Sequence, residues 1–83
     1  MTFGETLKRL REDRRVSQSK LAECAGFDHS WVSRLETGAR MPGRESVMAL
    51  ADALGAPSIE RNQLLESAGF AAGPLDATGM ALQ

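Results

Sequence analysis

The sequence predicts an all-α fold, a compact bundle of five short helices. Three observations predict it. Apolar residues recur at helical spacing along most of the chain, and no segment sustains the apolar/polar alternation of a strand. Glycines stand at positions 26, 38, 55 and 69, each just past one of those periodic stretches. The 83 residues, 42% hydrophobic and 25% charged, suffice for one small core in one domain.

Thr2 or Gly4 opens a first helix that runs to about Arg14, with Phe3, Leu7 and Leu10 as its apolar stripe. Arg14, Arg15 and Val16 then lead to Ser17, a good N-cap for a second helix over 18–25. Leu21, Ala22 and Ala25 share one face of that helix, and Gly26 stops it. Asp28 caps a third helix over 29–37, closed by Gly38. Residues 39–43 form a loop. A fourth helix runs from about Arg44 to Leu54 and buries Val47, Leu50, Ala51 and Leu54, with Gly43 as its N-cap. Pro57 or Ser58 starts a fifth helix to Ala68, with Leu64 and Leu65 inward. Gly69 suits the residue just past that helix, and Phe70 can fold back on Leu65. Residues 1–70 therefore read as the domain. Residues 71–83, small and uncharged except for Asp76, read as a tail that is flexible or associated with a dimer.

Charge is segregated along the chain. Residues 1–44 carry nine Lys or Arg against six acids, and residues 45–83 carry one Arg against five acids. The net charge of −1 conceals a basic half suited to phosphates. No apolar run has the length of a membrane span, and the start of the chain shows no signal-peptide core. The lone Cys24 has no partner for an internal disulfide, which fits a reducing cytoplasm, and is expected to be a buried, inert thiol. One cysteine and one histidine do not make a structural zinc site. No nucleophile, metal cluster or paired carboxylate accompanies His29, so the sequence offers no catalytic centre, no cofactor site and no small-molecule pocket.

The informative stretch is Gln18 to Thr37, QSKLAECAGFDHSWVSRLET. Two helices that meet steeply through a short turn need a small residue at the crossing, here Ala22, and a residue tolerant of positive φ in the turn, here Gly26. The second of the pair must bury its inner face, here Val32 and Leu35. With Gln18, these five positions resemble the helix-turn-helix of the phage-repressor and Cro-like family, often called the XRE family. The likeness extends outward through LKRLREDRRVSQSKLAECAG, RLETGARMP and ESVMALADALG, and covers about residues 3–69. It implies a lambda repressor-like DNA-binding domain. It also implies a partly buried ion pair between Arg11 and Glu36 that ties the first helix to the third.

With Val32 and Leu35 set inward at about 100° per residue, Ser30, Ser33, Arg34 and Thr37 point away from the core. That outer face is polar and has no acid at its centre. His29 lies at the helix start, within reach of a groove floor. The resemblance makes this helix the one that enters the major groove. His29, Ser30, Ser33 and Arg34 are then the candidates for base contact, with Arg34 able to bond guanine in two-pronged fashion. On the residues alone, Arg34 is equally an ordinary solvated arginine. Gln18, Thr37, Arg40 and Arg44 are the candidates for gripping phosphates. Two roles fit Trp31: packing against the second helix, or lying on the DNA backbone, where the family often has a tyrosine. Arg14 and Arg15 add basic field without assigned contacts.

The resemblance implies a sequence-specific transcription regulator, most naturally a repressor in the cytoplasm and nucleoid. It implies a homodimer on a pseudo-palindromic operator, with the fourth and fifth helices and the tail as dimer surface. The alternative is a protein-interaction module such as an antitoxin or adaptor, with Trp31 as its anchor.

Overall fold

A computed structural model describes residues 2–70; the tail expected over 71–83 lies outside the described residues. Five helices make up the fold: α1 (Phe3–Asp13), α2 (Gln18–Ala25), α3 (His29–Thr37), α4 (Arg44–Leu54) and α5 (Ser58–Ser67). Among the described residues there is no strand. The bounds match the apolar spacing to within a residue or two.

The helices close around one core. Phe3, Leu7 and Leu10 of α1 meet Leu21 and Ala22 of α2, Val32 and Leu35 of α3, Val47, Leu50 and Ala51 of α4, and Leu64 and Leu65 of α5. Helix α3 packs on α1 and α2, while α5 packs on α1 and α4. Val32 and Leu35 are 0% and 1% exposed. Burial at that level stabilises by about 1.5–3 kcal/mol per side chain and fixes the roll of α3 about its axis.

Local signals set the helix ends. Thr2 caps α1 through a reciprocal pair: its hydroxyl accepts from the Glu5 N–H at 3.1 Å, and Glu5 Oε1 accepts from the Thr2 N–H at 3.0 Å. Gly4 is therefore not the start of α1 but lies within its first turn. Ser17 caps α2 through the Lys20 N–H at 3.0 Å. Asp28 occupies the N-cap position of α3 in extended conformation, but its carboxylate makes no capping bond. The charge still favours that end of the helix dipole.

All five helices end on one hydrogen-bond pattern. At α2 the Phe27 N–H reaches back to the Ala22 carbonyl at 2.8 Å, with Gly26 at φ +83°. At α5 the Phe70 N–H reaches the Leu65 carbonyl at 2.8 Å. Phe70 folds against the core there, as the sequence suggests. The exception in residue type is α1, where Arg15 takes the left-handed position at φ +56°.

Candidate nucleic-acid interface

The roll of α3 decides what it presents. With Val32 and Leu35 sealed inside, His29, Ser30, Arg34 and Thr37 are exposed. Ser33 is half-buried rather than fully outward; it stands at the same angle from the core as the exposed Arg34, so its cover comes from neighbours outside the helix and not from its place on the wheel. No acidic residue interrupts this face: Asp28 precedes the helix, and Glu36 turns inward.

Glu36 is the centre of a bonded chain that ties the interface to the core. Arg11 Nε donates to Glu36 Oε2 at 2.7 Å, and Arg11 Nη2 donates to Oε1 at 3.0 Å. The third guanidinium nitrogen, Nη1, donates to the Val16 carbonyl at 2.9 Å. The two side chains are only 11% and 4% exposed. The hydrogen bonds to Glu36 raise the Arg11 pKa above its ordinary value, and burial opposes that shift in part. Gln18 Nε2 donates to the remaining side of Glu36 Oε1 at 2.9 Å. Gln18 Oε1 lies 3.1 Å from His29 Nε2. One carboxylate thus holds α1, positions the first residue of α2, and through it the first residue of α3.

Trp31 is half-buried. Its ring lies on Phe27 with centroids 4.1 Å apart and planes 34° from parallel. The side chain also packs against the core cluster that includes Leu21 and Ala22 of α2, and the rest of it stays open. Thr37 donates its hydroxyl to the Arg34 carbonyl at 3.2 Å, which tightens the last turn of α3. Arg40 and Arg44 are exposed on the way out of α3. Ala22 is buried between α2 and the helices packed on it. A Cβ at Gly26 would meet nothing within 4 Å, so its φ of +83°, not crowding, is what a glycine relieves there.

Two further residues differ from expectation. Cys24 is exposed, not buried: it lies off the arc formed by Leu21, Ala22 and Ala25, and position overrides the residue type's preference for the interior. Arg14 is not free field. It donates to the Leu54 carbonyl at 2.9 Å and pairs through Nη2 with Glu60, linking α1 to the start of α5. The basic charge available to a phosphate is therefore smaller than the sequence count.

Among the described residues, no group of three or more metal-ligating side chains gathers, and no helix is long and apolar enough to cross a membrane.

A family model described as a helix-turn-helix domain matches residues 2–64. The chain belongs to the helix-turn-helix family. Its curated relatives include the HTH-type transcriptional repressor RghR of Bacillus subtilis (strain 168), 39% identical over 57 residues, which span 68% of this chain and 42% of the relative. The immunity repressor protein of Bacillus phage phi105 is 34% identical over 55 residues, 66% of this chain and 38% of that protein. The chain thus spans about two fifths of the length of these two relatives. Among solved structures, the restriction-modification controller protein C.AhdI of Aeromonas hydrophila superposes with a TM-score of 0.67 at 36% identity, covering 71% of this chain and 86% of that one. The clp gene regulator ClgR of C. glutamicum gives 0.69 at 30% identity, covering 98% and 91%. The helix-turn-helix of the family is α2, the turn at Gly26 to Asp28, and α3.

Proposed function

We propose that this helix-turn-helix protein represses transcription by binding a specific duplex sequence with α3 in the major groove. The observation that carries the proposal is the roll of α3. Val32 and Leu35 are locked inside, and a polar face with Ser30 and Arg34 is left open. In this reading His29, Ser30, Ser33 and Arg34 read base edges, with Ser33 the most restricted because it is half-buried. Gln18, Trp31, Thr37, Arg40 and Arg44 hold the backbone on either side. Gln18 retains a second amide hydrogen for a phosphate while its first is held by Glu36.

One recognition helix reads few bases, so the working unit is a homodimer on two half-sites about 34 Å apart. Support for α5 as part of the dimer surface comes from Ile59, a large apolar side chain 73% exposed in the single chain. The repressors among the relatives support the sign of regulation, and a DNA-binding regulator acts in the cytoplasm, on the nucleoid.

The test is duplex binding by two variants. Arg34→Ala is expected to weaken the cognate site by about ten-fold or more while leaving random duplex nearly unchanged. Arg40→Ala is expected to weaken both alike and to flatten the salt dependence by about one counterion. Equal losses on cognate and random duplex for Arg34→Ala would remove it from base reading. Binding insensitive to salt would remove DNA as the partner.

A further inference from the structure

The chain of bonds from Arg11 to His29 fixes more than position. Glu36 is ionised, since Arg11 donates to both of its oxygens, and an ionised carboxylate only accepts. The Gln18 atom lying 2.9 Å from Glu36 Oε1 must therefore be the donor Nε2. The opposite amide orientation would set two acceptor oxygens against each other. This leaves Gln18 Oε1, an acceptor, facing His29 Nε2 at 3.1 Å. Two acceptors do not bond, so His29 Nε2 must carry a hydrogen. In the neutral ring the other nitrogen, Nδ1, is then a bare lone pair. Among the described residues nothing donates to Nδ1, and His29 is exposed at the start of α3.

We propose that His29 is a specificity-determining residue held as a hydrogen-bond acceptor, so that it selects an exocyclic amine, adenine N6 or cytosine N4, at the base it reaches. This rests on the reading of α3 as the recognition helix. In the major groove, adenine and cytosine offer that amine, whereas guanine and thymine offer oxygens at the corresponding place. A histidine free to choose its tautomer could serve either pattern. Here the buried pair at Arg11 and Glu36 removes the choice from a distance, through Gln18.

Two measurements on the full chain test the proposal. The first reads the histidine without DNA. Nitrogen-15 NMR at about pH 8, above the ordinary range of histidine titration, is expected to show His29 protonated at Nε2 and bare at Nδ1. The Nε2 hydrogen is expected to exchange more slowly than in Gln18→Ala. A ring bare at Nε2, or exchange unchanged by Gln18→Ala, overturns the tautomer assignment.

The second is selection of bound sites from a randomised duplex library at the same pH, with the parent and with His29→Ala. One position in each half-site is expected to favour, by about five-fold or more, a base pair that turns its amine, adenine N6 or cytosine N4, toward His29, from one hydrogen bond of about 1 kcal/mol. That preference is expected to vanish in the variant. At that position, removing the amine from the favoured pair (purine for adenine, or 2-pyrimidinone for cytosine) is expected to weaken the parent by a similar factor and His29→Ala not at all. Parent binding unchanged by loss of the amine, or no position that relaxes, overturns the assignment while leaving the DNA reading intact. Failure to enrich any duplex overturns the DNA reading, and the base selection with it.

Discussion

Gly4 of α1 lies directly against the carbonyl of Leu35 in α3. A Cβ built on Gly4 would stand 2.6 Å from that oxygen and closer still to the carbonyl oxygen of Glu36. Both obstacles are backbone, which cannot rotate aside. Glycine is required here by the approach of two helices, not by φ. Gly4→Ala is expected to force α1 and α3 apart and to destabilise the fold by about 1–3 kcal/mol or more. Equilibrium denaturation measures this. A variant as stable as the parent would mean that the two helices are not held at this distance.

The neighbouring contact is electrostatic. Arg11 and Glu36 are both largely buried, so removing either strands the other away from water. Glu36→Ala is expected to cost about 3–5 kcal/mol. Replacing both, as Arg11→Met with Glu36→Leu, is expected to cost clearly less than the two single changes added together, because no charge is then left unpaired. Additive losses would show that the pair is not coupled.

Of these two contacts, the resemblance in sequence already implied the Arg11–Glu36 pair, whereas the approach at Gly4 had no signal in the sequence. The five helices were legible because Leu7, Leu10, Val32, Leu35, Val47, Leu50, Leu64 and Leu65 recur at helical spacing, and spacing is a local property. The outer face of α3 followed from the same arithmetic, apart from the half-burial of Ser33, which depends on neighbours outside the helix. The reciprocal cap of Thr2 and Glu5 was present as a Thr-x-x-Glu signal and could have been read. Gly4 could not, since a glycine inside a helix looks only like a weak helix former until the opposing backbone is known. Nor could the bond from Gln18 to Glu36: it joins residues eighteen apart in sequence, and nothing local reports it. The pairing of Arg14 with Glu60 is longer still in range.

Arg15 supplies a prediction of the opposite sign. It holds φ at +56°, where an L side chain crowds its own backbone at a cost of about 1–2 kcal/mol. The backbone bonds from Arg15 and Val16 to the Glu12 and Arg11 carbonyls require that conformation to end α1. Arg15→Gly is expected to relieve the strain and return part of the gain as chain entropy. The net is a stabilisation of about 0.5–1 kcal/mol. Thermal or denaturant unfolding reads it, and a loss of stability would mean that the Arg15 side chain contributes a contact outweighing its strained backbone.

Glu5 carries a pH signature. Its carboxylate accepts the Thr2 N–H, and this backbone hydrogen bond is the main reason its pKa lies below the ordinary 4.5. The folded chain therefore releases that proton more readily than the unfolded chain. The stabilisation is fully present above the ordinary value and fades as the pH falls through the lowered, folded value. Glu5→Gln can keep a weaker version of the same cap but has no proton to lose. Its stability is expected to lie below that of the parent at neutral pH and to converge on the parent in acid. Melting temperatures measured for both proteins from neutral pH down through the carboxylate range follow the difference. A gap that stays constant across that range would mean that the cap at Thr2 does not depend on the charge of Glu5.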